Sequence, residues 1–211
     1  MTRAAILANG RLGGGADLRR RLRRAEMVIC ADGGLRAARR LGVRPDVAIG
    51  DFDSASRAIM GWARSAGVLM ITHPVEKDKT DAELALDYAL KKGAREVEFF
   101  GALGGRLDHL LANVGLMFAA EPRARLRILD GKTEAFLAQG RTPLGARHGD
   151  LVSLLSLSRR SSGITTRGLK YPLRNATIRQ GSSLGISNEV VSLPASVTVR
   201  TGRLLVVVTR N

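Results

Sequence analysis

Two aspartates that follow a predicted buried strand are the first residues in this sequence that could do chemistry. Asp51 and Asp53 come after the apolar run Val47 to Ile49 and the turn-forming Gly50. On an extended backbone alternate side chains share a face and lie roughly 6–7 Å apart, so the pair predicts a site for a divalent cation. The alternative is a capped turn, since Asp and Ser favour turns for local hydrogen bonding and Ser54 is a candidate helix cap.

Polar groups also follow other predicted strands. Asn9 follows the first strand, Asp32 the second, and a glycine-rich turn from Gly101 to His109 the fifth. Strands alternate with helices over residues 1–132, which predicts an α/β domain with a doubly wound, mainly parallel sheet. Ligands bind such sheets at the carboxyl ends of the strands, so we expect these turns to converge with Asp51 and Asp53 at one edge.

The segment Thr80 to Glu83 has the form of a capping box, with Thr at the N-cap and Glu three residues later. It predicts that a helix begins beside the charged loop Glu76 to Asp81. Gly42 and Gly93 are expected to end helices, because glycine adopts the left-handed conformation at little cost.

The residue pattern of the sequence changes after Lys132. Helical periodicity gives way to short β-rich runs between turns, which predicts an all-β, sandwich-like domain over residues 133–211. From residue 150 onward the acids are Asp150 and Glu189, whereas carboxylates are concentrated in the first domain.

The composition is that of a folded globular protein, with 45% hydrophobic residues in 211. A net charge of +15 suggests nucleic acid, yet the densest basic run, Arg19 to Arg24, has the pattern of a solvated helix face, and 4% aromatic content leaves few stacking platforms. We therefore expect no nucleic-acid partner. Apolar runs fall short of the ~20 residues of a membrane span, so we expect no membrane association and a cytoplasmic location. The lone Cys30 lies in an apolar run and is interpreted as core.

Familiar phosphate motifs are excluded by spacing. Gly131-Lys132-Thr133 lacks the glycine that a phosphate loop needs at position 126, and the glycine clusters do not form the dinucleotide fingerprint. His73 and His109 have no partner at a zinc spacing. Carboxylates beside glycine-rich turns and helix N-termini remain, a combination typical of a metal-bound phosphorylated ligand.

The order and spacing of several segments resemble the thiamine pyrophosphokinase family across nearly the whole chain. These segments are Ala31 to Gly34, Pro45-Asp46 with Gly50 to Ser54, Asp78 to Asp81, Gly101 to His109, and Gly181 to Ser183 with Ser187 to Glu189. The resemblance implies an α/β nucleotide-binding domain, a β-sandwich domain for thiamine binding and dimerisation, and a homodimer with shared active sites. It also implies transfer of the pyrophosphoryl group of ATP to the hydroxyl of thiamine, giving thiamine diphosphate and AMP.

The resemblance also assigns the site residues. It implies Mg²⁺ at Asp51, Asp53 and Asp81, and it adds Asp32 and Asp78 to the catalytic acids as groups that orient ligands or accept the hydroxyl proton. Its nucleotide residues are Asn9, Gly33, Gly34, Lys79, Arg106, Asp108 and His109, with Arg106 as a phosphate fork. Its thiamine turn is Ser187-Asn188, followed by Glu189, which either faces the thiazolium or is a surface acid. Phosphoryl-type transfer fits such a set because it depends on alignment and charge neutralisation.

Two alternative functions stay open at this point. One is another Mg²⁺-dependent pyrophosphoryl- or nucleotidyl-transferase that uses a different alcohol. The other is a non-catalytic nucleotide- or RNA-binding protein, whose binding would persist without Mg²⁺ and fall steeply with salt.

Overall fold

The chain divides into two units, residues 1–131 and residues 132–211. The computed structural model describes residues 2–10, 12–53, 55–103 and 106–211. Ser54, Gly104 and Gly105, which belong to two of the segments that carry the family resemblance, lie outside the described residues.

Strands and helices alternate through the first unit, and each strand pairs in parallel with its neighbours. The elements in chain order are β1 (Thr2–Leu7), α1 (Gly15–Arg24), β2 (Met27–Ala31), α2 (Gly34–Leu41), β3 (Val47–Gly50), α3 (Arg57–Ser65), β4 (Leu69–Thr72), α4 (Asp81–Lys91), β5 (Ala94–Phe100), α5 (Leu107–Ala120) and β6 (Arg125–Asp130). The pairing gives the order β6-β5-β1-β2-β3-β4. This architecture confirms the predicted parallel α/β fold.

The strand order reverses at β1, which lies between β2 and β5. The connections that follow β1 and β5 run in opposite directions, and such a switch point opens a crevice at the carboxyl ends of the strands. The two loops are joined at the base of the crevice, because the Gly10 N–H donates to the Gly101 carbonyl at 3.0 Å. The site residues after β1 and β5 are therefore neighbours in space although about ninety positions apart in sequence.

The central strands read as apolar runs because helices cover both faces of a parallel sheet. In β1, for example, Ala4, Ala5, Ile6 and Leu7 are fully buried. Cys30 is also fully buried, and burial raises the pKa of its thiol. The thiol is therefore part of the core, as predicted.

Helix ends follow the chemistry of their caps. Thr80 Oγ1 accepts the Glu83 N–H at 3.2 Å at the start of α4, as the capping box predicts. The cap of α3 is Ser56, whose hydroxyl accepts the Ile59 N–H at 3.4 Å. Gly42 ends α2 with a left-handed φ of 65°.

The second unit is built from two antiparallel sheets. Its strands are β7 (Thr133–Leu137), β8 (Gly140–Pro143), β9 (Leu151–Ser156), β10 (Arg160–Arg167), β11 (Ala176–Arg179), β12 (Asn188–Glu189), β13 (Ser196–Val199) and β14 (Leu204–Thr209). One sheet has the order β12-β9-β14-β7 and the other β11-β10-β13-β8. Both contribute to one buried cluster, with Leu154 and Val206 from the first and Ile178 and Val197 from the second. The predicted all-β, sandwich-like architecture is confirmed.

Close packing of α2 onto β1 depends on Gly34, and we expect Gly34→Ala to destabilise the protein by about 3 kcal/mol through overpacking. A Cβ atom at position 34 would lie 1.9 Å from the Leu7 carbonyl oxygen, which is backbone and cannot move aside cheaply. Gly61→Ala is the control, because that position lies in α3 with open space around it and gains about 0.5–1 kcal/mol from helix propensity. Urea unfolding measures both changes. A Gly34→Ala protein as stable as wild type would contradict the close approach.

One arginine of α1, Arg21, forms ion pairs within the fold, whereas other arginines of this helix face the solvent. Arg21 bridges Asp17 at 2.8 Å and Glu98 at 2.6 Å and is half-buried, whereas Arg19, Arg23 and Arg24 are exposed. The Arg21 pair joins α1 to β5, so this residue contributes to stability.

We expect a triple variant with Arg19, Arg23 and Arg24 replaced by Gln to keep the turnover that the family resemblance implies within a few-fold of wild type, because we expect the net charge to be incidental to that activity. Arg21→Gln should instead cost about 1–2 kcal/mol, because its partner Glu98 loses a charge-assisted hydrogen bond in a partly exposed setting. Steady-state rates and urea unfolding separate the two effects. A collapse of turnover in the stable triple variant would contradict this view of the charge.

Candidate active site at the carboxyl ends of the strands

A cavity of about 390 Å³ opens at the switch point of the first unit. It brings together five of the predicted site residues, namely Asn9, Asp32, Asp81, Arg106 and His109. A second cavity of about 680 Å³ shares Asn9 and adds Gly33 with arginines of α2. The turns after β1, β2 and β5 therefore converge as expected, whereas Asp51 and Asp53 are not among the described residues that line the two cavities.

The two glycines after Asp32 let backbone and side chains approach closely. A Cβ at Gly33 would lie 2.3 Å from Asn9 Oδ1, and Gly34 has no room for one, as described above. The N-terminus of α2 can therefore lie directly against the turn that follows β1. N–H groups at a helix N-terminus form a favourable environment for an anion.

Asp32 is influenced electrostatically by three other carboxylates. Desolvation is the largest cause that raises its pKa, and the charges of Asp81, Asp51 and Asp53 add to it, against a hydrogen bond from the Gly33 N–H. Asp32 also has a left-handed φ of 41°, which Asp tolerates better than most residues. The four acids therefore form one electrostatic cluster, here called the acid cluster.

The backbone that carries Asp51 and Asp53 is a turn, and the prediction of an extended strand through both residues is wrong. Strand β3 ends at Gly50, and Phe52 has a left-handed φ of 57°. The Asp53 N–H donates to Asp51 Oδ1 at 3.2 Å, which is the local capping that the alternative interpretation described. Phe52 is 7% exposed within the core, so burial of its ring is the physical reason for the turn.

A lysine that the sequence did not single out lies in the acid cluster. Lys77 Nζ is 3.4 Å from Asp51 Oδ2, 3.2 Å from Asp81 Oδ1 and 3.1 Å from the Pro74 carbonyl. The pKa of Asp51 is lowered chiefly by the Asp53 N–H and, against desolvation, by Lys77. Burial works against the charged form of Lys77, but Asp81 and Asp51 together raise its pKa. The sequence signal that could have indicated this lysine is its four-residue spacing from Asp81, which suits an ion pair.

Lys79 and Asp78 are not brought into the acid cluster. Lys79 Nζ lies 2.6 Å from Asp87 Oδ2 and 3.2 Å from Glu83 Oε1, on the surface of α4. Asp78 is exposed, and it is not among the described residues that line the two cavities.

Arg106 and Asp108 form a fork at the rim of the cavity. Arg106 Nε and Nη2 lie 3.1 Å and 2.6 Å from the two Asp108 oxygens, and the His109 N–H donates to Oδ1 at 2.9 Å. Arg106 is the largest cause that lowers the pKa of Asp108 to about 2. Nearby, the buried Asn113, which the sequence did not indicate, donates to the Ala102 carbonyl at 2.8 Å and supports the cavity wall.

The predicted thiamine turn lies in the second unit. Ser187 is exposed, with a left-handed φ of 53°, and its N–H donates to Ser153 Oγ at 3.0 Å. Asn188 is 3% exposed, and its amide accepts the Tyr171 N–H at 3.0 Å and donates to the Tyr171 carbonyl at 2.7 Å. It therefore positions Tyr171, whose 63% exposed side chain the sequence did not indicate. Glu189 pairs with Lys170 at 3.3 Å.

The acid cluster fits a hard divalent cation in donor type and charge. Asp81 Oδ1 is buried and, apart from its contact with Lys77, receives no hydrogen bond from the described residues. Carboxylate oxygens are the ligands that Mg²⁺ takes. Among the residues that the structure describes, no three acids, histidines or cysteines lie within metal-binding range of one another. The positive charge beside Asp51 and Asp81 is that of Lys77.

Fold and site together define a class. This is a two-unit protein in which a parallel α/β unit carries a carboxylate-rich ligand cavity at its switch point and an antiparallel β unit follows in the same chain. None of the described helices combines the length and apolarity needed to cross a bilayer.

Comparisons with known proteins give the family. The sequence model described as "Thiamin pyrophosphokinase, catalytic domain" matches residues 18–128, and the one described as "Thiamin pyrophosphokinase, vitamin B1 binding domain" matches residues 141–206. The chain therefore belongs to the thiamine pyrophosphokinase family and is an enzyme of that family, as the resemblance predicted. It is 31% identical to thiamine pyrophosphokinase of Bacillus subtilis over 169 residues, which is 79% of each chain.

Solved structures agree with this assignment. The crystal structure of the Bacillus subtilis thiamine pyrophosphokinase superposes with a TM-score of 0.88 at 28% identity, covering 100% of both chains. That of the Geobacillus thermodenitrificans protein gives 0.84 at 30% identity, covering 100% of this chain and 98% of the other. The fold class predicted from the sequence is thus confirmed.

Proposed function

We propose that the protein transfers the pyrophosphoryl group of ATP to the hydroxyl of thiamine, giving thiamine diphosphate and AMP, in a Mg²⁺-dependent reaction. The observation that carries the proposal is the acid cluster beside the switch-point cavity. Family membership supports the choice of reaction and of substrates.

Asp51, Asp53 and Asp81 are the residues that would hold Mg²⁺. When bound, the ion neutralises phosphate charge and aligns the reacting groups, which is the central requirement of phosphoryl-type transfer. The half-buried positions of Asp51 and Asp81 favour this role, because their charges are less screened by water than those of exposed acids.

Other groups around the cavity would bind and orient ATP. Arg106 presents two N–H groups to a carboxylate in the ligand-free protein, and the same planar fork suits a phosphate. Asn9, Gly33 and Gly34 bring the N-terminus of α2 to the cavities, where backbone N–H groups favour anions. Asp108 and His109 complete this set at the rim, since Asp108 holds the Arg106 fork until a phosphate takes its place.

Asp32 is proposed to accept the proton of the thiamine hydroxyl. Desolvation and neighbouring negative charges raise its pKa, so its carboxylate is a better proton acceptor than a solvated one. The exposed Asp78 would orient water or ligand near the start of α4, and Lys79 would add a point charge from the surface.

The second unit is proposed to bind thiamine and to form a homodimer whose active sites are shared between chains. The match of residues 141–206 to a vitamin B1 binding domain supports the first point. Ser187 would contact thiamine, Asn188 would act by holding Tyr171 in place, and Glu189 would share its charge between Lys170 and the cationic thiazolium. The first unit would bind ATP and Mg²⁺, so each of the two substrates would have its own unit.

A product assay tests the proposal. Purified protein is incubated with ATP, thiamine and Mg²⁺, and the products are identified by mass spectrometry, with a parallel reaction in EDTA. We expect AMP and thiamine diphosphate in equal amounts, and none of either in EDTA. Thiamine monophosphate with ADP would refute pyrophosphoryl transfer, and nucleotide binding that is indifferent to Mg²⁺ but lost in salt would favour a non-catalytic binding protein.

A further inference from the structure

Lys77 is held by oxygen atoms on three sides. Its ammonium group contacts Asp51 Oδ2 at 3.4 Å, Asp81 Oδ1 at 3.2 Å and the Pro74 carbonyl at 3.1 Å. The contacts with Asp51 and the Pro74 carbonyl are hydrogen bonds, and the contact with Asp81 is an ion pair. The side chain is 16% exposed, so the charge is partly shielded from water.

The contacts come from two loops, the one after β3 and the one between β4 and α4. Asp51 follows β3, whereas Pro74 and Lys77 follow β4, which pairs with β3, and Asp81 begins α4. Without a cation the carboxylates of Asp51 and Asp81 would repel each other across a half-buried space. The Lys77 charge removes that repulsion, so it stabilises the two loops in the ligand-free protein.

The same space is the one that Mg²⁺ would need. Mg²⁺ takes carboxylate oxygens as ligands. An ammonium group on Asp51 Oδ2 and Asp81 Oδ1 would therefore compete with the ion for those two oxygens.

We propose that Lys77 is a positioning residue that acts as a built-in counter-ion, which holds Asp51 and Asp81 in the metal-free enzyme and has to be displaced when a divalent cation binds. The inference rests on the proposed function, because it takes Asp51 and Asp81 as metal ligands. Lys77 thereby lowers the affinity for the free metal ion, and its release leaves a positive charge beside the cavity for an anionic substrate.

Lys79 supplies a matched control. It carries the same charge two residues away, but it is 46% exposed and pairs with Glu83 and Asp87 on the outer surface of α4. Lys77→Gln and Lys79→Gln therefore change the net charge equally, whereas only the first removes a cation from the acid cluster.

The experiment measures metal binding rather than turnover. Isothermal titration of nucleotide-free protein with MgCl₂ gives the dissociation constant, and thermal unfolding in EDTA gives the stability of the metal-free form. We expect Lys77→Gln to bind Mg²⁺ about tenfold more tightly, because a competing adjacent charge is removed. Its Tm in EDTA should fall by about 2–4 °C, because Asp51 and Asp81 lose their counter-ion. Lys79→Gln should stay within twofold of the wild-type affinity.

Different failures are distinguishable. Mg²⁺ that binds wild type and Lys77→Gln equally would overturn the counter-ion and leave the metal site standing. Titrations in which neither wild type nor variants bind Mg²⁺, with or without ATP, would overturn the metal site of the proposed function and this inference with it. Should Lys77→Gln fail to fold, ¹⁵N–¹H spectra of the lysine ammonium groups in the wild-type protein provide the test. We expect the Lys77 signal to shift on addition of Mg²⁺ and the Lys79 signal to stay in place. A Lys77 signal that does not move at saturating Mg²⁺ would refute displacement.

Discussion

We expect Asp51→Asn and Asp53→Asn each to lower the turnover of pyrophosphoryl transfer by at least about 100-fold, while the protein keeps its fold. Removing one negative charge from a site that neutralises phosphate has an effect of this order, because the missing interaction is needed where charge develops in the transition state. The changes keep side-chain volume. The amide introduced by Asp51→Asn would also retain an oxygen that can accept the Asp53 N–H, which now lies 3.2 Å from Asp51 Oδ1.

The measurement is turnover at saturating Mg²⁺ together with urea unfolding. We expect free energies of unfolding within about 1 kcal/mol of wild type, since Asp53 is exposed and Lys77 keeps Asp81 and Pro74 as partners when the charge at position 51 is removed. Asp87→Asn, which removes an acid from the surface of α4, is the control and should retain normal turnover. Near-normal turnover of both site variants would refute the metal assignment.

Mixing two inactive variants, Asp51→Asn and Ser187→Trp, restores activity if the active sites are shared between the chains of a homodimer. Each variant damages a different unit, and a Trp side chain at the exposed position 187 would block the thiamine turn without entering the core. A heterodimer then contains one site free of both changes and recovers up to about half of the wild-type activity per dimer, a count that follows from two equivalent sites related by a two-fold axis.

The experiment needs subunit exchange and a control for it. Differently tagged variants show by affinity capture that heterodimers have formed. A mixture of Asp51→Asn with Asp53→Asn, both in the first unit, should stay inactive, because every site carries a lesion. Lack of recovery in captured Asp51→Asn and Ser187→Trp heterodimers would mean that each chain binds both substrates by itself.

Local features of this protein could be read from its residues alone. Apolar runs of parallel-sheet type predicted β1 to β6, because strands buried on both faces have little room for polar residues. Thr80 predicted the start of α4, because an N-cap hydroxyl satisfies a free N–H within three residues of chain. The loss of helical periodicity after Lys132 predicted the change to antiparallel sheets. Convergence of Asn9 and Asp32 at one edge followed from the handed, parallel winding of such folds.

Only the tertiary structure decided which charges meet. Lys77 and Lys79 look alike in sequence, yet one contacts Asp51 and Asp81 and the other lies on the outside of α4, because the path of a loop depends on the strands it joins. Phe52 adopts a left-handed backbone, which no alternation rule foresees. Asn188 binds Tyr171 across a gap of seventeen residues. The periodicity of apolar residues indicates which side of each segment is buried and which is exposed to water. These contacts depend instead on partners distant in sequence, which become neighbours only when the chain has folded.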